Sequence, residues 1–258
     1  MRGKRVIAVL FFIVSGWLVS AQFTPYKPGE RAEYRLHYGI INAGVATFEL
    51  QNHQHEGREV WRSTITARTT GVADVLFRVR NVYRSYIDPA NELPLISIRD
   101  VKEGSYERYN EVHFDRTSRE DSTIVKSDLS GEHITEKGIH DILSCLYLFR
   151  KRYMPYAFTF QPGQVITINT WFTDEFYPIQ LRYIGLEEVR TRVGRIKAHR
   201  FHPVTEVGRL FKTEEDISVW FSADRNYLPV LIRFDIFAGS FTVNLTGYEG
   251  LAYPLQIR

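Results

Sequence analysis

Only one cysteine, Cys145, occurs in 258 residues. No intramolecular disulfide can staple the chain, so stability has to come from buried apolar surface. No cysteine follows the N-terminal apolar run, which argues against a lipid-anchored product. Excess charge of one sign is also missing. The 33 Lys and Arg face 30 Asp and Glu, and three of the basic residues, Arg2, Lys4 and Arg5, precede the uncharged run Val6–Val19. Fourteen residues are too few for a membrane span of roughly 20 and match the apolar region of an export signal. Val19-Ser20-Ala21 offers compact residues to a signal peptidase, so residues 1–21 are predicted to be a signal peptide cut before Gln22. The rest of the chain carries 30 basic and 30 acidic residues, which removes the electrostatic case for nucleic acid. No second apolar run approaches spanning length, so the expected product is periplasmic or secreted, with no transmembrane segment after processing. Linkers rich in Gly, Ser or Pro are absent too, and the chain reads as one compact unit.

Alternation of apolar and polar residues is abundant instead. Ala32, Tyr34, Leu36 and Tyr38 alternate with Glu33, Arg35 and His37, the period of a strand with one buried face. A turn at Asn42-Ala43-Gly44 leads into Val45–Leu50, and the pattern recurs at Val79–Asp88, Leu93–Val101, Tyr109–Asp115, Ile217–Phe221, Val230–Phe237 and Phe241–Tyr248. Alternation of this kind marks antiparallel sheet, because buried parallel strands read as continuous apolar runs. One helix is predicted, Ile139–Arg152, from the apolar stripe Ile139, Ile142, Leu143, Leu146 and Tyr147. Asp141 in its first turn and Arg150, Lys151 and Arg152 in its last suit the helix dipole, and Pro155 is expected to end it.

The helix divides the chain into residues 22–138, an N-terminal β half, residues 139–154, and residues 155–258, a C-terminal β half. A shift of 135 lays Asn91, Leu93, Pro94 and Gly104-Ser105 over Asn226, Leu228, Pro229 and Gly239-Ser240. The fold class that follows is mainly β: antiparallel curved sheets or half-barrels, two similar halves, one central helix.

Tyr83–Asp115, with Asp88-Pro89, Leu93-Pro94 and Glu103-Gly104-Ser105-Tyr106, is followed by Asp141-Ile142-Leu143-Ser144-Cys145-Leu146-Tyr147-Leu148-Phe149-Arg150. Together they resemble the bacterial family catalogued as domain of unknown function 3108, most specifically in the Asp-x-Leu-Ser-x-Leu-Tyr-x-x-Arg helix. The resemblance implies an exported protein and supplies no catalytic residues. More loosely, Val219-Trp220-Phe221 through Leu228-Pro229 to Gly239 is similar to hairpins of periplasmic lipoprotein carriers and related lipid-binding half-barrels.

The residues offer little chemistry. No Gly-x-Ser-x-Gly elbow, His-Glu-x-x-His helix or Gly-rich phosphate loop occurs. His53 and His55 share a strand face without an evident third ligand, His199 and His202 fall on opposite faces, and Cys145 reads as a small core residue. The expectation is therefore no catalytic residue, no metal and no cofactor. Aromatic residues make up 14% of the chain and cluster late, at Trp171-Phe172, Trp220-Phe221, Phe234 and Phe237. Adjacent rings on one strand load both faces of a sheet, and one of those faces needs a cover or a ligand. The candidate ligand-binding residues are Trp171, Phe172, Trp220, Ile232, Phe234 and Ile236, with a lipid or other apolar ligand as the expected partner. An envelope scaffold or assembly factor binding a protein partner is the alternative. A hydrolase using two carboxylates, remote in sequence, across a barrel mouth is the third; the runs Glu187-Glu188 and Glu214-Glu215-Asp216 place adjacent side chains on opposite strand faces and read as solvated loop or edge charges.

Overall fold

The computed structural model describes residues 23–204, 216–236 and 239–258. The expected signal peptide, as well as Glu214, Glu215 and Phe237, lies outside the described residues, as does the side chain of Ile236. Fourteen strands form a single antiparallel sheet: β1 (Arg31–Tyr38), β2 (Ile41–His55), β3 (Arg58–Thr69), β4 (Val79–Ile87), β5 (Pro94–Glu103), β6 (Tyr106–Asp115), β7 (Ser122–Ser127), β8 (Gly131–Glu136), β9 (Val165–Phe172), β10 (Glu175–Arg190), β11 (Arg195–Pro203), β12 (Ile217–Ser222), β13 (Pro229–Ile236) and β14 (Gly239–Glu249). Their spatial order is β8-β7-β6-β5-β4-β3-β2-β1-β14-β13-β12-β11-β10-β9. Each half is thus an up-and-down meander, and β1, paired with both β2 and β14, fuses the two into one sheet.

The first hairpin turns earlier than its sequence suggests. Gly39, at φ +55°, makes the turn, while Asn42, Ala43 and Gly44 already belong to β2. Gly44 serves the strand pairing: a Cβ there would stand 2.4 Å from the Arg68 carbonyl oxygen of β3. Register shifts at Glu33/Tyr34, Leu36/His37, Tyr86/Ile87, Tyr183/Gly185 and Trp220/Phe221 bend the strands, so the sheet coils.

The sheet rolls up without closing. Trp171, on the face of β9 opposite Ile166 and Ile168, packs with Val112, Phe114, Val125 and Ile139, and lies 4.9 Å from the His133 ring of β8. The backbones of the two edges do not pair. Side chains sew them instead: Asp174 accepts from Arg108 at 3.0 Å, Asn110 at 3.3 Å and Ser127 at 2.5 Å, and Asn169 donates to Glu136 at 2.9 Å. His140 forms a lone parallel bridge with Thr170, which covers part of the β9 edge.

The helix lies inside the roll, and its bounds differ from the predicted Ile139–Arg152. An α-helical turn, α2 (Ser144–Leu148), continues as a π-helical turn over Phe149–Tyr153 and a 3₁₀ turn over Met154–Thr159. Pro155 sits at the start of the 3₁₀ turn, where its missing N–H is harmless, and does not end the helix. Burial is wider than one stripe. Leu143, Ser144, Cys145, Tyr147, Phe149, Arg150, Met154 and Ala157 are all buried, while Ile142 and Leu146 are half-buried. An element enclosed by sheet on several sides loses its polar face.

The 135-residue correspondence has a structural counterpart. Glu92 and Tyr227 both adopt positive φ, 62° and 48°, immediately before a Leu-Pro that enters a strand. One position out of that register, an aspartate holds each turn, with Asp88 accepting from Ala90 N–H at 3.0 Å and Asp224 from Asn226 N–H at 2.9 Å.

Candidate functional site

Residues directly opposite one another in antiparallel strands point to the same face. The inner face, the one the helix contacts, can therefore be followed across the sheet. One row runs Tyr183, Phe201, Val219, Ile232, Val243 and Leu36. A second runs Phe48, Ile65, Tyr83, Arg99 and Asn110. The helical segment covers part of this face. The Phe149 ring lies 5.2 Å from that of Phe201 and 5.0 Å from that of Phe221, and the Tyr147 hydroxyl is 3.1 Å from Ser63 Oγ.

Another part carries its own apolar cluster: Ala32, Tyr34, Ala46, Val243 and Leu245, with Leu36, Phe48, Ala67, Ile232 and Phe234 against them. No residue of the helical segment belongs to that cluster. Towards the strand ends at Tyr38, Ile217, Phe234 and Phe241, the inward-facing Leu36, Tyr38, Ile232, Phe234 and Phe241 remain only half-buried. Across the roll the wall turns polar, with Asn81, Arg99 and Arg108 in the corresponding inward positions.

The six candidate ligand residues do not share one face, although Trp220 belongs to the apolar cluster that Ile232 and Phe234 pack against. Ile232 faces Val219 and Phe234 faces Ile217, so both point inward, whereas Trp220 faces Leu231 and points to the opposite side. Grouping Trp220 with Ile232 and Phe234 is thereby corrected; the register shift at Trp220/Phe221 and the neighbouring pairs set the faces. Trp220 packs near Val189, Ile196 and Ala198, donates from its indole N–H to Glu187 at 2.5 Å, and has the Arg200 guanidinium 5.1 Å from its ring. Leu251 and Leu255 of the C-terminal segment pack against this cluster. Ile236 ends β13 opposite Gly239. Trp171 and Phe172 sit at the seam, lining a crevice of about 20 Å³ with Tyr83, Ser97, Arg99, Asn110 and Ile142. That volume holds about one water molecule. Trp171 Nε1 and Arg99 Nε are buried there without an acceptor among the described residues, and the Arg99 guanidinium lies 5.7 Å from the Phe172 ring.

The helix motif explains itself in structural terms. Ser144 N–H donates to Asp141 Oδ1 at 2.7 Å and Asp141 N–H donates to Ser144 Oγ at 3.1 Å, a reciprocal clasp that satisfies donors at the start of the helix. Arg150, predicted to serve the helix dipole, is buried instead. It binds Glu30 with both terminal nitrogens, at 2.5 and 2.8 Å, and donates to the backbone oxygens of Asn226 and Pro25, with Tyr26 and Tyr147 rings beside it. Lys151 pairs with Glu92 at 2.6 Å.

His140-Asp141, expected to open and cap the helix, forms a buried cluster with Ser144. His140 Nδ1 lies 3.0 Å from Ser144 Oγ, but the Asp141 carboxylate binds the helix backbone, and all three residues are sealed from solvent. Burial, followed by the charge of Arg116, pushes the His140 imidazole down to about 4, and burial raises Asp141. A buried clasp of this kind has no path to a substrate.

Elsewhere, His53 and His55 do share a face, their rings 5.5 and 5.1 Å from that of Tyr86. His199 is buried, its Nδ1 3.1 Å from the Tyr183 hydroxyl, with burial and then Lys197 lowering its pKa to about 4. Burial pushes the Cys145 thiol far up. Among the described residues no group of three or more His, Cys, Asp or Glu is placed to hold a metal ion. No described helix is long and apolar enough to cross a membrane.

No curated protein matches the sequence. Among solved structures, a β-barrel-like protein of domain of unknown function DUF1849 from Brucella abortus is similar over 87% of this chain and 98% of its own, with 12% identity and a TM-score of 0.56. A Bacteroides fragilis protein with a YmcC-like fold covers 88% of this chain and 98% of its own at 9% identity and a TM-score of 0.36. The first likeness concerns the fold alone, and it agrees with a rolled, barrel-like sheet. With a family profile matching residues 33–246, nearly all of the sheet, the chain belongs to the family described as protein of unknown function (DUF3108).

Proposed function

We propose that the protein is an exported, non-catalytic cell-envelope protein that binds an amphipathic ligand, such as a lipid, on the concave face of its rolled sheet. One observation carries this reading: the apolar wall of Leu36, Tyr38, Ile232, Phe234 and Phe241 lies on the inner face and is only half-buried, and the cluster that Leu36, Ile232 and Phe234 pack against includes no residue of the helical segment. An apolar surface of this kind on a concave face is what an acyl chain would cover. The opposite wall supplies the polar half of the match. Arg99 points inward beside Asn110 and Tyr83 with no acid facing it in the strand register, which suits an anionic head group.

Titration with the fluorescent fatty acid cis-parinaric acid tests the reading. The protein should bind it saturably, and Phe234→Asp should leave a folded protein that no longer does. Arg99→Gln should weaken the carboxylate probe by roughly ten- to a hundredfold while leaving the corresponding alcohol unaffected, since a charge-assisted hydrogen bond is worth about 1.5–3 kcal/mol. Undiminished binding by folded Phe234→Asp would move the ligand elsewhere.

A further inference from the structure

At one end of the roll, three neighbouring connections carry large apolar side chains into solvent. Ile40 in the β1–β2 turn is fully exposed, and Ile41 is about half exposed. Between β3 and β4, the short helix α1 (Gly71–Leu76) buries none of its residues; Val75 and Leu76 are 86% and 79% exposed, and Val72 and Phe77 more than half. The third connection is the β5–β6 turn, where Tyr106 is also exposed.

These tips form one patch. Thr70 N–H donates to the Ala43 carbonyl at 3.0 Å, which holds α1 beside β2, and Gly104 N–H donates to the Arg78 carbonyl at 2.8 Å. The Phe77 ring lies so close over Gly104 that a Cβ there would stand 2.9 Å from it. The α1 segment therefore bridges the first and third turns.

Charge accompanies the apolar tips. Arg68, Arg78 and Arg80 flank α1 and Lys102 stands beside the third turn, against the acids Asp74, Glu103 and Glu107. Asp74 is already engaged by Arg80 at 2.6 Å and by the Thr69 hydroxyl at 2.7 Å, which holds its carboxyl down at about 2. With Asp74 and Arg80 paired to each other and Glu103 accepting from Asn81 Nδ2 at 2.6 Å, the exposed charges left are Arg68, Arg78 and Lys102 against Glu107, so the rim is aliphatic at the tip and net basic at the collar.

We infer that this rim docks on the surface of an anionic phospholipid bilayer. Apolar tips that project, rather than a groove that receives, fit a fluid surface better than a shaped protein. Protein interfaces also carry about one hydrogen bond per 100–200 Å², and the only polar side chain of α1 is spoken for within the fold. A bilayer asks for no such bonds: aliphatic side chains enter the acyl boundary and arginines meet anionic head groups. The inference uses none of the residues that line the concave face and does not rest on the ligand reading.

The experiment uses the full chain carrying Val75→Cys, labelled with an environment-sensitive fluorophore; buried Cys145, its thiol pushed up by burial, stays unlabelled. Because the dye reports on residue 75 alone, association through any other segment leaves it silent. On vesicles of equal parts phosphatidylcholine and phosphatidylglycerol its emission should shift to the blue, less so in high salt. Adding Ile40→Asp and Leu76→Asp should reduce apparent vesicle affinity at the label by roughly tenfold or more. Circular dichroism checks that this variant is folded, and Ile40→Ser with Leu76→Ser serves if it is not. A label at exposed Gln161, beyond the helical segment, should not respond. No shift at residue 75, or an equal shift at residue 161, overturns the inference. A blue shift without vesicles that grows with protein concentration assigns the patch to a second copy and overturns it as well.

Discussion

Arg150 illustrates how much of this fold rests on single side chains. Its guanidinium joins the helix to Glu30 ahead of β1 and to the Asn226 turn ahead of β13, at 1% exposure. Deleting one partner of such a pair strands the other charge in the interior. Arg150→Ala should lose about 3–5 kcal/mol in urea unfolding, and Arg150→Lys should recover little of it, because an ammonium cannot reproduce the planar fork. A loss under about 1 kcal/mol would mean that water replaces the pair.

His199 sets a pH dependence. Its folded pKa, about 4, lies below the ordinary value of 6.5, so the unfolded chain binds the proton more tightly. The stability it contributes is complete above pH 6.5 and is lost as pH falls towards 4, by up to about 3 kcal/mol. His140 acts in the same direction, while Asp141, whose pKa burial raises, acts in the opposite one. Urea midpoints between pH 7 and 5 should therefore fall, and His199→Gln should flatten that slope; an unchanged slope would refute the assignment to His199.

Among the elements, the helical segment departs furthest from its sequence pattern. Period 3.6 located it and chose Leu143 and Tyr147 correctly as buried, but Asp141 and Ser144 delay its start, and the π turn followed by the 3₁₀ turn carries it past Arg152 to Thr159. Leu146 is only half-buried, so Leu146→Ala should cost less than about 2 kcal/mol, whereas Phe149→Ala, which empties a ring cluster, should cost about 3–5 kcal/mol in thermal or urea unfolding. Equal losses would show that the segment packs differently. The strands divide in a similar way. Those with clean alternation, such as β1, β4, β5 and β14, were legible. Thr- and Arg-rich β3 and the long β10 were not: small polar residues such as Ser63 and Thr69 share the inner face of β3, and the register shift at Tyr183/Gly185 breaks the period of β10.

The whole molecule depends on a seam without a backbone ladder. Asp174, in the left-handed conformation at φ 65°, gathers Arg108, Asn110 and Ser127 from across the gap. Asp174→Ala should destabilise the protein by about 1–3 kcal/mol and raise hydrogen exchange in β8 and β9 before β1 and β14. Uniform exchange across the sheet would show that the edges do not open separately. The seam links the edges of a sheet that its register shifts already coil around the concave face proposed for the ligand.

By itself the sequence determined the class of fold: period-two alternation with Gly, Asn and Pro turns specifies antiparallel hairpins, and hairpins are local. It also located the helix between two sets of strands, through an apolar stripe. Tertiary structure alone decided that β1 pairs with β14, that the edges meet through Asp174, and which way each aromatic residue points. Trp220 and Phe234 look equivalent in sequence, yet strand register sends one to the face packed with Leu251 and Leu255 and the other into the roll. Register is a relation between strands, and one strand's periodicity says which residues share a face without saying which face is inside.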